Sequence, residues 1–208
     1  MAPILRVLNN PLVSHWLCKL RNKETTPAVF RQALELISNA VLLETGIEFA
    51  QNLIPIETPV GPTEGKMLAP KIAIIPILRA GLGMASSILS WLPDANVYHL
   101  GACRNHTSLL PEFYYNKLPL ELSEHHCLVI DPMLATGGSA SETIRILLRA
   151  GVTKISFLGI LGSKQGVQKI HREFPDVSIN IAALDDELNQ IGYIIPGLGD
   201  AGDRFFNT

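Results

Sequence analysis

Cysteine is scarce in this chain, and so are long apolar runs and basic clusters. The 208 residues include three cysteines, Cys18, Cys103 and Cys127, an odd number at wide spacing. This spacing argues against a disulfide framework or a cysteine metal site, and it is typical of reduced thiols. No apolar run approaches the roughly 20 residues of a transmembrane helix, and the N-terminus lacks a signal-peptide layout. We therefore expect a cytoplasmic protein with no membrane partner.

The charge of the chain also excludes a class of partner. The net charge is −2, and lysine and arginine do not cluster, which argues against a nucleic-acid surface. The sequence contains no internal repeat and no low-complexity tract. Its length fits one domain over residues 1–208, and its apolar fraction of 47% is enough for a sizeable core.

Apolar patterns along the chain alternate between helix and strand. The predicted helices cover residues 26–51, 83–92 and 166–173, and the predicted strands cover residues 71–77, 96–103, 127–130, 155–161 and 177–184. Thr26 and Pro27 suit a helix start, and residues 104–117 read as a loop or hairpin arm. This alternation predicts an α/β domain with a mainly parallel sheet flanked by helices. Residues of about 1–50 and 185–208 lie outside that pattern, and we expect them to pack together as a cap.

The most informative segment is Leu128–Ser139, in which a short apolar run ends on a carboxylate. The run over 127–130 is β-branched and does not alternate, so it predicts a buried strand. Asp131 then stands at the carboxyl end of that strand, where open α/β sheets bind ligands. A carboxylate accepts hydrogen bonds and can hold two neighbouring ribose hydroxyls at once. Asp131 is therefore a candidate sugar contact.

A small-residue loop, Thr136–Ser139, follows this acid. Glycines let successive N–H groups turn inward around an anion, and the helical pattern after the loop places a phosphate at a helix N-terminus. A Walker A loop is excluded because no lysine occurs between Asp131 and Ser139. The string over residues 197–202 matches a dinucleotide fingerprint, but we expect no helix after it and reject the match. For the loop alone, a plain strand-to-helix turn stays open.

A second loop with the same plan follows the strand over residues 71–77. Arg79 offers a donor fork suited to phosphate oxygens, and Gly81 and Gly83 allow the backbone to approach an anion. Arg104 ends the next strand and is a further basic candidate. We interpret His106 as a solvated loop histidine, because no acid or nucleophile stands near it in the sequence.

The C-terminal segment Gly192–Asp203 holds four glycines and a proline, so we expect little regular structure there. Its apolar side chains suit the faces of a planar base, and its backbone groups suit the polar edge. A site built from such groups rejects a base whose edge leaves them unpaired. Two roles stay open for Tyr193, that of a packed aromatic and that of a group closing the base site.

These three segments resemble motifs of one family. Residues 128–139 resemble the phosphoribosyl-pyrophosphate (PRPP) motif of the type I phosphoribosyltransferases. Residues 76–84 and 192–203 resemble the pyrophosphate and uracil loops of the uracil phosphoribosyltransferase family. The resemblance implies a type I phosphoribosyltransferase-like fold with a C-terminal base-binding cap. It also implies pyrimidine salvage, in which uracil and PRPP give UMP and diphosphate with Mg²⁺. Members of the family are often oligomers and some respond to GTP, so the resemblance implies a homo-oligomer and a GTP effector.

The resemblance also implies roles for individual residues. The catalytic set is Asp131, Arg79, Arg104 and Asp200. The PRPP contacts are Arg79, Arg104, Asp131, Pro132, Met133, Leu134, Ala135, Thr136, Gly137, Gly138, Ser139 and Asp200. The uracil contacts are Ile194, Gly199, Asp200 and Ala201, largely through the backbone. No residue is assigned as a metal ligand, because Mg²⁺ is commonly held by substrate oxygens.

The chain departs from the family pattern at two places. Acidic residues are expected after Arg104-Asn105, whereas the chain has His106–Leu110. An Ala-Pro-type turn is replaced by Ser163 and Lys164, which we interpret as a changed surface turn. The alternative function is a PRPP- and UMP-sensing regulator that binds RNA, although the lack of a basic cluster disfavours it. Transfer to a different base is a second alternative.

Overall fold

The computed structural model describes residues 4–104, 111–119 and 121–208, and it has six helices and thirteen strands in those ranges. The strands are β1 (Leu5–Val7), β2 (Gln51–Glu57), β3 (Pro62–Leu68), β4 (Lys71–Leu78), β5 (Asn96–Val97), β6 (Leu100–Arg104), β7 (Pro111–Asn116), β8 (His125–Ile130), β9 (Met133–Leu134), β10 (Lys154–Ser163), β11 (Ser178–Asp185), β12 (Glu187–Leu188) and β13 (Ile194–Ile195). The helices are α1 (Pro11–Arg21), α2 (Pro27–Gly46), α3 (Leu82–Trp91), α4 (Gly138–Arg149), α5 (Lys164–Glu173) and α6 (Ala201–Phe206).

A nine-stranded sheet forms the centre of the molecule, in the order β1-β11-β10-β8-β4-β6-β7, with β5 beside β4 and β9 beside β10. Its pairs are parallel except for β6 and β7, which are antiparallel. The predicted mainly parallel sheet is therefore confirmed. In β4 and β8, Pro76 pairs with Ile130, so both strands end at the same edge. This register brings the Arg79 and Asp131 loops together.

Helices cover both faces of the sheet. Alternate β4 residues point to opposite faces: Ile72 and Ile74 pack in the core under α2 and α3, while Ala73 and Ile75 pack in the core under α4 and α5. Residues 127–130 of β8 are all fully buried, as a strand covered on both faces requires. Each large apolar side chain buried in this way contributes about 1.5–3 kcal/mol.

Several elements differ from their predicted bounds. Thr26 caps α2 as expected, but this helix ends at Gly46 instead of residue 51. The hairpin of β2 and β3 follows it, closed by Thr58, whose hydroxyl accepts the N–H groups of Val60 and Gly61. Sequence patterns missed this hairpin because its side chains are mostly exposed and pack on no apolar face that would impose a period.

The chain termini also differ in part from expectation. Leu5–Val7 joins the sheet edge as a parallel partner of β11, so the N-terminal segment does not lie wholly outside the sheet. Residues 201–206 form α6, although no helix was expected there. In the predicted loop or hairpin arm 104–117, residues 111–116 form β7, which pairs antiparallel with β6, so a hairpin arm is confirmed. Residues 105–110, which include the altered stretch His106–Leu110, lie outside the described residues. Among the helices that the structure describes, none is both long and apolar enough to span a membrane.

Candidate active site

Asp131 stands directly after β8, at the edge where β4 also ends. Its N–H donates to the Leu158 carbonyl of β10 (3.2 Å), and its Oδ1 accepts the Met133 N–H (3.2 Å). Burial raises the pKa of this carboxyl to about 7, and the negative charge of Asp200 adds to the rise, while the Met133 N–H opposes it. A carboxyl with this pKa changes its charge near neutral pH, which is common at functional sites.

The glycine-containing loop follows at the start of α4. Gly137 precedes the helix with a φ of 75°, a left-handed conformation that favours glycine. Met133 and Leu134 form β9, which pairs with β10, and the Leu134 side chain is 1% exposed within the core. Pro132 is also buried. The predicted ligand contacts of Pro132 and Leu134 are therefore restricted to their backbone groups. Residues 135, 136, 138 and 139 are partly exposed.

Ser163 supports this loop from β10, and sequence reasoning missed that role. It is fully buried, its hydroxyl donates to the Ala135 carbonyl (2.6 Å), and the same oxygen accepts the Gly166 N–H (2.9 Å) at the start of α5. The interpretation of Ser163 as a surface-turn residue is therefore wrong. Lys164 is exposed and pairs with Asp186 at the surface. One sequence signal could have indicated this role. The apolar run 155–161 leads within two residues to Ser163, a residue type that commonly caps a helix N-terminus.

Arg79 follows β4 and lies against the C-terminal helix. Its Nη2 donates to Asp203 Oδ1 (2.7 Å), and its guanidinium lies 5.7 Å from the Phe206 ring centre. Gly81 packs against the end of β8, where a Cβ would lie 2.5 Å from the Ile130 carbonyl oxygen. The tight contact at Gly81 holds the Arg79 loop beside the Asp131 loop, so the sheet brings two of the predicted catalytic residues to one edge.

The C-terminal loop completes this edge. Asp200 caps α6 by accepting the Asp203 N–H (2.9 Å), and the Tyr193 hydroxyl donates to Asp200 Oδ2 (3.4 Å). Ile194 and Ala201 are buried, so their side chains pack in the core, and Ile194 also pairs with Leu188 of β12. Gly199 adopts a φ of 83°. A Cβ at Gly202 would lie 3.9 Å from Ala80 Cβ and from Arg79 Nη2, so the loop that was predicted to bind the base lies beside the Arg79 loop. The charge of Asp200 also contributes to the raised pKa of Asp131.

Two further expectations have different outcomes. Arg104 ends β6, at the edge of the sheet beyond β4, and its predicted pyrophosphate contact stays a prediction. Among the described residues, no group of three or more His, Cys, Asp or Glu side chains could hold a metal ion. The negative charges of Asp131 and Asp200 repel each other, because the charge of Asp200 raises the pKa of Asp131. A cation between them would relieve this repulsion, and Mg²⁺ needs only one or two carboxylates when oxygens of the ligand supply the rest.

Comparison with solved structures supports the class of fold. An adenine phosphoribosyl transferase from Trypanosoma brucei superposes with a TM-score of 0.58 at 13% identity, covering 88% of this chain and 84% of that one. A hypoxanthine-guanine phosphoribosyltransferase from Bacillus anthracis superposes with a TM-score of 0.52 at 10% identity, over 76% and 80%. The fold, with an acid and a glycine loop after β8, is that of the type I phosphoribosyltransferases.

Sequence comparison narrows this class to one family. A family model described as uracil phosphoribosyltransferase matches residues 7–208. A protein of that name from Roseiflexus sp. (strain RS-1) is 47% identical over 208 residues, which are the whole of both chains. Its namesake from Campylobacter fetus subsp. fetus (strain 82-40) is 47% identical, over 98% of each chain. This chain belongs to the uracil phosphoribosyltransferase family.

A solved structure of higher similarity extends this result to the backbone. The AQ2163 protein from Aquifex aeolicus superposes with a TM-score of 0.92 at 32% identity and covers 98% of both chains. The sequence relatives give the regulatory alternative no support, since they carry the name of the enzyme.

Proposed function

We propose that this chain transfers the phosphoribosyl group of PRPP to uracil and releases UMP and diphosphate. The observation that carries this proposal is the position of Asp131 and its glycine loop at one sheet edge, beside the Arg79 loop and the C-terminal loop. Such an edge offers a carboxylate for a sugar, backbone N–H groups for a phosphate and a guanidinium for a second anion.

The reaction forms the bond from uracil N1 to the ribose C1 while the bond from C1 to the pyrophosphate oxygen breaks. The proton that N1 loses goes to the departing pyrophosphate, whose oxygens are basic, so that the products are UMP and protonated diphosphate. The ribose carbon becomes cationic as the pyrophosphate leaves. Asp131 accepts hydrogen bonds from the two ribose hydroxyls near that charge, and residues 136–139 hold the 5′-phosphate. Arg79 and Arg104 stabilise the departing pyrophosphate, which is electrostatic catalysis by preorganised groups. The backbone at Ile194, Gly199 and Ala201 holds the uracil in line, which supplies the benefit of orientation.

Magnesium is the cofactor that this site suits. Asp131 and Asp200 are the carboxylates that would hold it together with oxygens of PRPP, and the ion supplies positive charge that neutralises the pyrophosphate. Asp200 faces that charge from the N-terminus of α6, while its contact with the Tyr193 hydroxyl keeps the carboxylate on the ligand side.

The family resemblance leads to further proposals about assembly and regulation: a cytoplasmic homo-oligomer that responds to GTP. Three exposed apolar residues support association between copies: Leu43 of α2, Ile47 directly after that helix, and Val60 of the hairpin, which is 99% exposed. Light scattering of the purified protein tests the oligomer. UMP formation with and without GTP tests the effector, and an unchanged rate would remove GTP from the proposal.

The deciding experiment measures UMP formation from PRPP and each of uracil, cytosine, xanthine and hypoxanthine, with Mg²⁺. Product from uracil alone, lost in Asp131→Ala, is the expected result. Product from another base at a comparable rate would reassign the substrate. Binding of PRPP without turnover of any base would overturn the enzyme proposal and favour the PRPP- and UMP-sensing regulator, for which RNA binding is the next test.

The pH dependence of PRPP use should follow Asp131. Its pKa of about 7 means that the protonated form, which cannot accept both ribose hydroxyls, predominates below neutral pH. We expect kcat/KM for PRPP to fall with decreasing pH below about 7, approaching tenfold per unit, and to level off above it. Initial rates between pH 5.5 and 9 check this, with Asp131→Asn as the control for the titration of PRPP itself. If kcat/KM for PRPP fell equally steeply with decreasing pH in this variant, the assignment of the pH dependence to Asp131 would be contradicted.

Removal of the Ser163 hydroxyl should loosen the segment of residues 131–139, here called the PRPP loop. Ser163→Ala loses the helix cap and the bond to the Ala135 carbonyl, and we expect a loss of about 1–2 kcal/mol in the free energy of unfolding. The KM for PRPP should rise several-fold, while the KM for uracil changes little. Thermal unfolding and initial rates measure both effects, with the exposed Ser123→Ala as control. Equal values for the two variants would show that Ser163 is dispensable.

A further inference from the structure

A bidentate ion pair lies beneath the C-terminal loop, outside the residues that the proposed reaction uses. The Arg21 guanidinium of α1 donates to both carboxylate oxygens of Asp185 at the end of β11, at 2.7 and 2.6 Å. Asp185 is 8% exposed, so its charge is largely removed from water. Because a buried charge is costly unless it is fully hydrogen-bonded, this pair has to be held in one geometry.

Both members of the pair also bind the backbone of Gly197. The Gly197 N–H donates to Asp185 Oδ2 (3.0 Å), and the Gly197 carbonyl accepts from Arg21 Nη1 (2.8 Å). The peptide groups on either side of one residue are therefore fixed by two charged side chains from distant elements. Gly197 adopts a φ of 62° and has no room for a Cβ, which would lie 2.2 Å from the Ile194 carbonyl oxygen. The loop conformation at this point is thus set from both sides.

A second arginine ties the next residue of the loop to the same helix end. Arg204 Nη1 donates to the Leu198 carbonyl (2.6 Å) and also to the Leu20 carbonyl, while Nη2 donates to the Asn22 carbonyl (2.7 Å). Its guanidinium lies 4.4 Å from the Phe30 ring centre, which favours a cation there. The C-terminus of α1 therefore contacts the loop through Arg21 and through Arg204.

We propose that Arg21 and Asp185 are positioning residues that set the backbone of the base-binding loop through Gly197, and that they thereby determine the affinity for the base. This inference rests on the proposed function, in which Gly199 and Ala201 present backbone groups to uracil two and four residues after Gly197. None of the strands that the structure describes pairs with residues 196–200, so the shape of this loop depends on such side-chain contacts. A backbone shift of a fraction of an ångström would spoil the hydrogen bonds to the base.

The test compares Asp185→Asn, Arg21→Lys and Arg21→Met with wild type in steady-state kinetics and in amide hydrogen exchange. We expect the uracil KM to rise about tenfold, which corresponds to about 1.4 kcal/mol, while the PRPP KM stays within about twofold. Arg21→Lys keeps the charge but loses the donor fork, so it should lie between wild type and Arg21→Met. The Gly197 amide, which loses its charged acceptor in Asp185→Asn, should exchange faster.

A matched control is Glu173→Gln, because Arg145 and Glu173 also join two elements across the surface and do not bind the C-terminal loop. It should leave both KM values unchanged. A purely structural role of Asp185 would lower the amount of active enzyme, and hence kcat, without separating the two KM values, and that result would overturn the proposal. Faster exchange with an unchanged uracil KM would also overturn it. Wild type that makes no UMP would instead defeat the proposed function, while the exchange data would still decide whether the pair fixes the loop.

Discussion

Asp131→Asn is expected to lower kcat/KM for PRPP by about 10²–10³-fold, because two charge-assisted hydrogen bonds to the ribose are weakened at once. Asparagine keeps the size of the side chain and an oxygen that can still accept the Met133 N–H, so the local fold should persist. Its amide carries no negative charge to oppose the cationic ribose carbon. The loss should therefore appear in kcat as well as in the PRPP KM.

The same substitution should stabilise the protein at alkaline pH. Because the folded pKa of about 7 lies above the ordinary value of 3.8, the folded state binds the Asp131 proton more tightly than the unfolded chain does. Ionisation of Asp131 thus lowers the free energy of unfolding as pH rises from about 4 to 7. We expect Asp131→Asn to gain about 1–2 kcal/mol at pH 8, with no gain at pH 4.

Denaturant unfolding at both pH values, with initial rates at pH 8, measures the two effects of this variant. Asp94→Asn is the control, since Asp94 is an exposed acid between α3 and β5. A variant that loses stability at pH 8 would show that the carboxylate is stabilised by the fold and would contradict the raised pKa. Retained activity would remove Asp131 from the proposed catalytic set.

Gly166→Ala should be strongly damaging, although helix propensity alone predicts a gain of about 1 kcal/mol for such a change within a helix. A Cβ at Gly166 would lie 2.4 Å from the Ala135 carbonyl oxygen and 2.7 Å from that of Leu134. Both contacts are with backbone of the PRPP loop, so the loop or α5 must move. We expect a loss of about 1–3 kcal/mol in the free energy of unfolding, as for other overpacked sites.

The displacement should also affect catalysis. A shift of about 1 Å in the residues that hold the 5′-phosphate can lower the rate by about 10²-fold. The neighbouring exposed Gln165→Ala in the same turn is the matched control, and it should behave like wild type or slightly better. Thermal unfolding and the PRPP KM distinguish the two variants. If Gly166→Ala were as stable and active as Gln165→Ala, the close packing of α5 on the loop would have no functional consequence.

Local patterns were sufficient to predict the sheet edge at which β4 and β8 end and at which we propose that the ligands bind. The run 127–130 ends on Asp131 and leads through glycines into a helix, and these preferences act between neighbouring residues. The alternation of helix and strand then implied parallel pairing, which places the ends of β4 and β8 side by side. The family resemblance had linked the Asp131 and Arg79 loops, and the parallel pairing of β4 with β8 places both loops at one edge.

Residues whose roles depend on distant partners could not be predicted in this way. Ser163 looked like a turn residue until β10 brought its hydroxyl to the Ala135 carbonyl, 28 positions away. The hairpin of β2 and β3 was missed because exposed strands carry no strict apolar period. Arg79 was predicted to face an anion, and its pairing with Asp203 of α6 depends on the return of the chain end to this edge.

The sequence by itself thus determined the α/β class, the acid and glycine loop, and the order of the three ligand segments, since each depends on short-range backbone and solvation preferences. Tertiary structure alone decided how the C-terminal loop, which is proposed to bind the base, is held. Arg21, Asp185 and Gly197 lie far apart in the chain and form one hydrogen-bonded group only after α1 and β11 have packed. Their geometry follows from burial of a charged pair, which requires partners that no local pattern can specify.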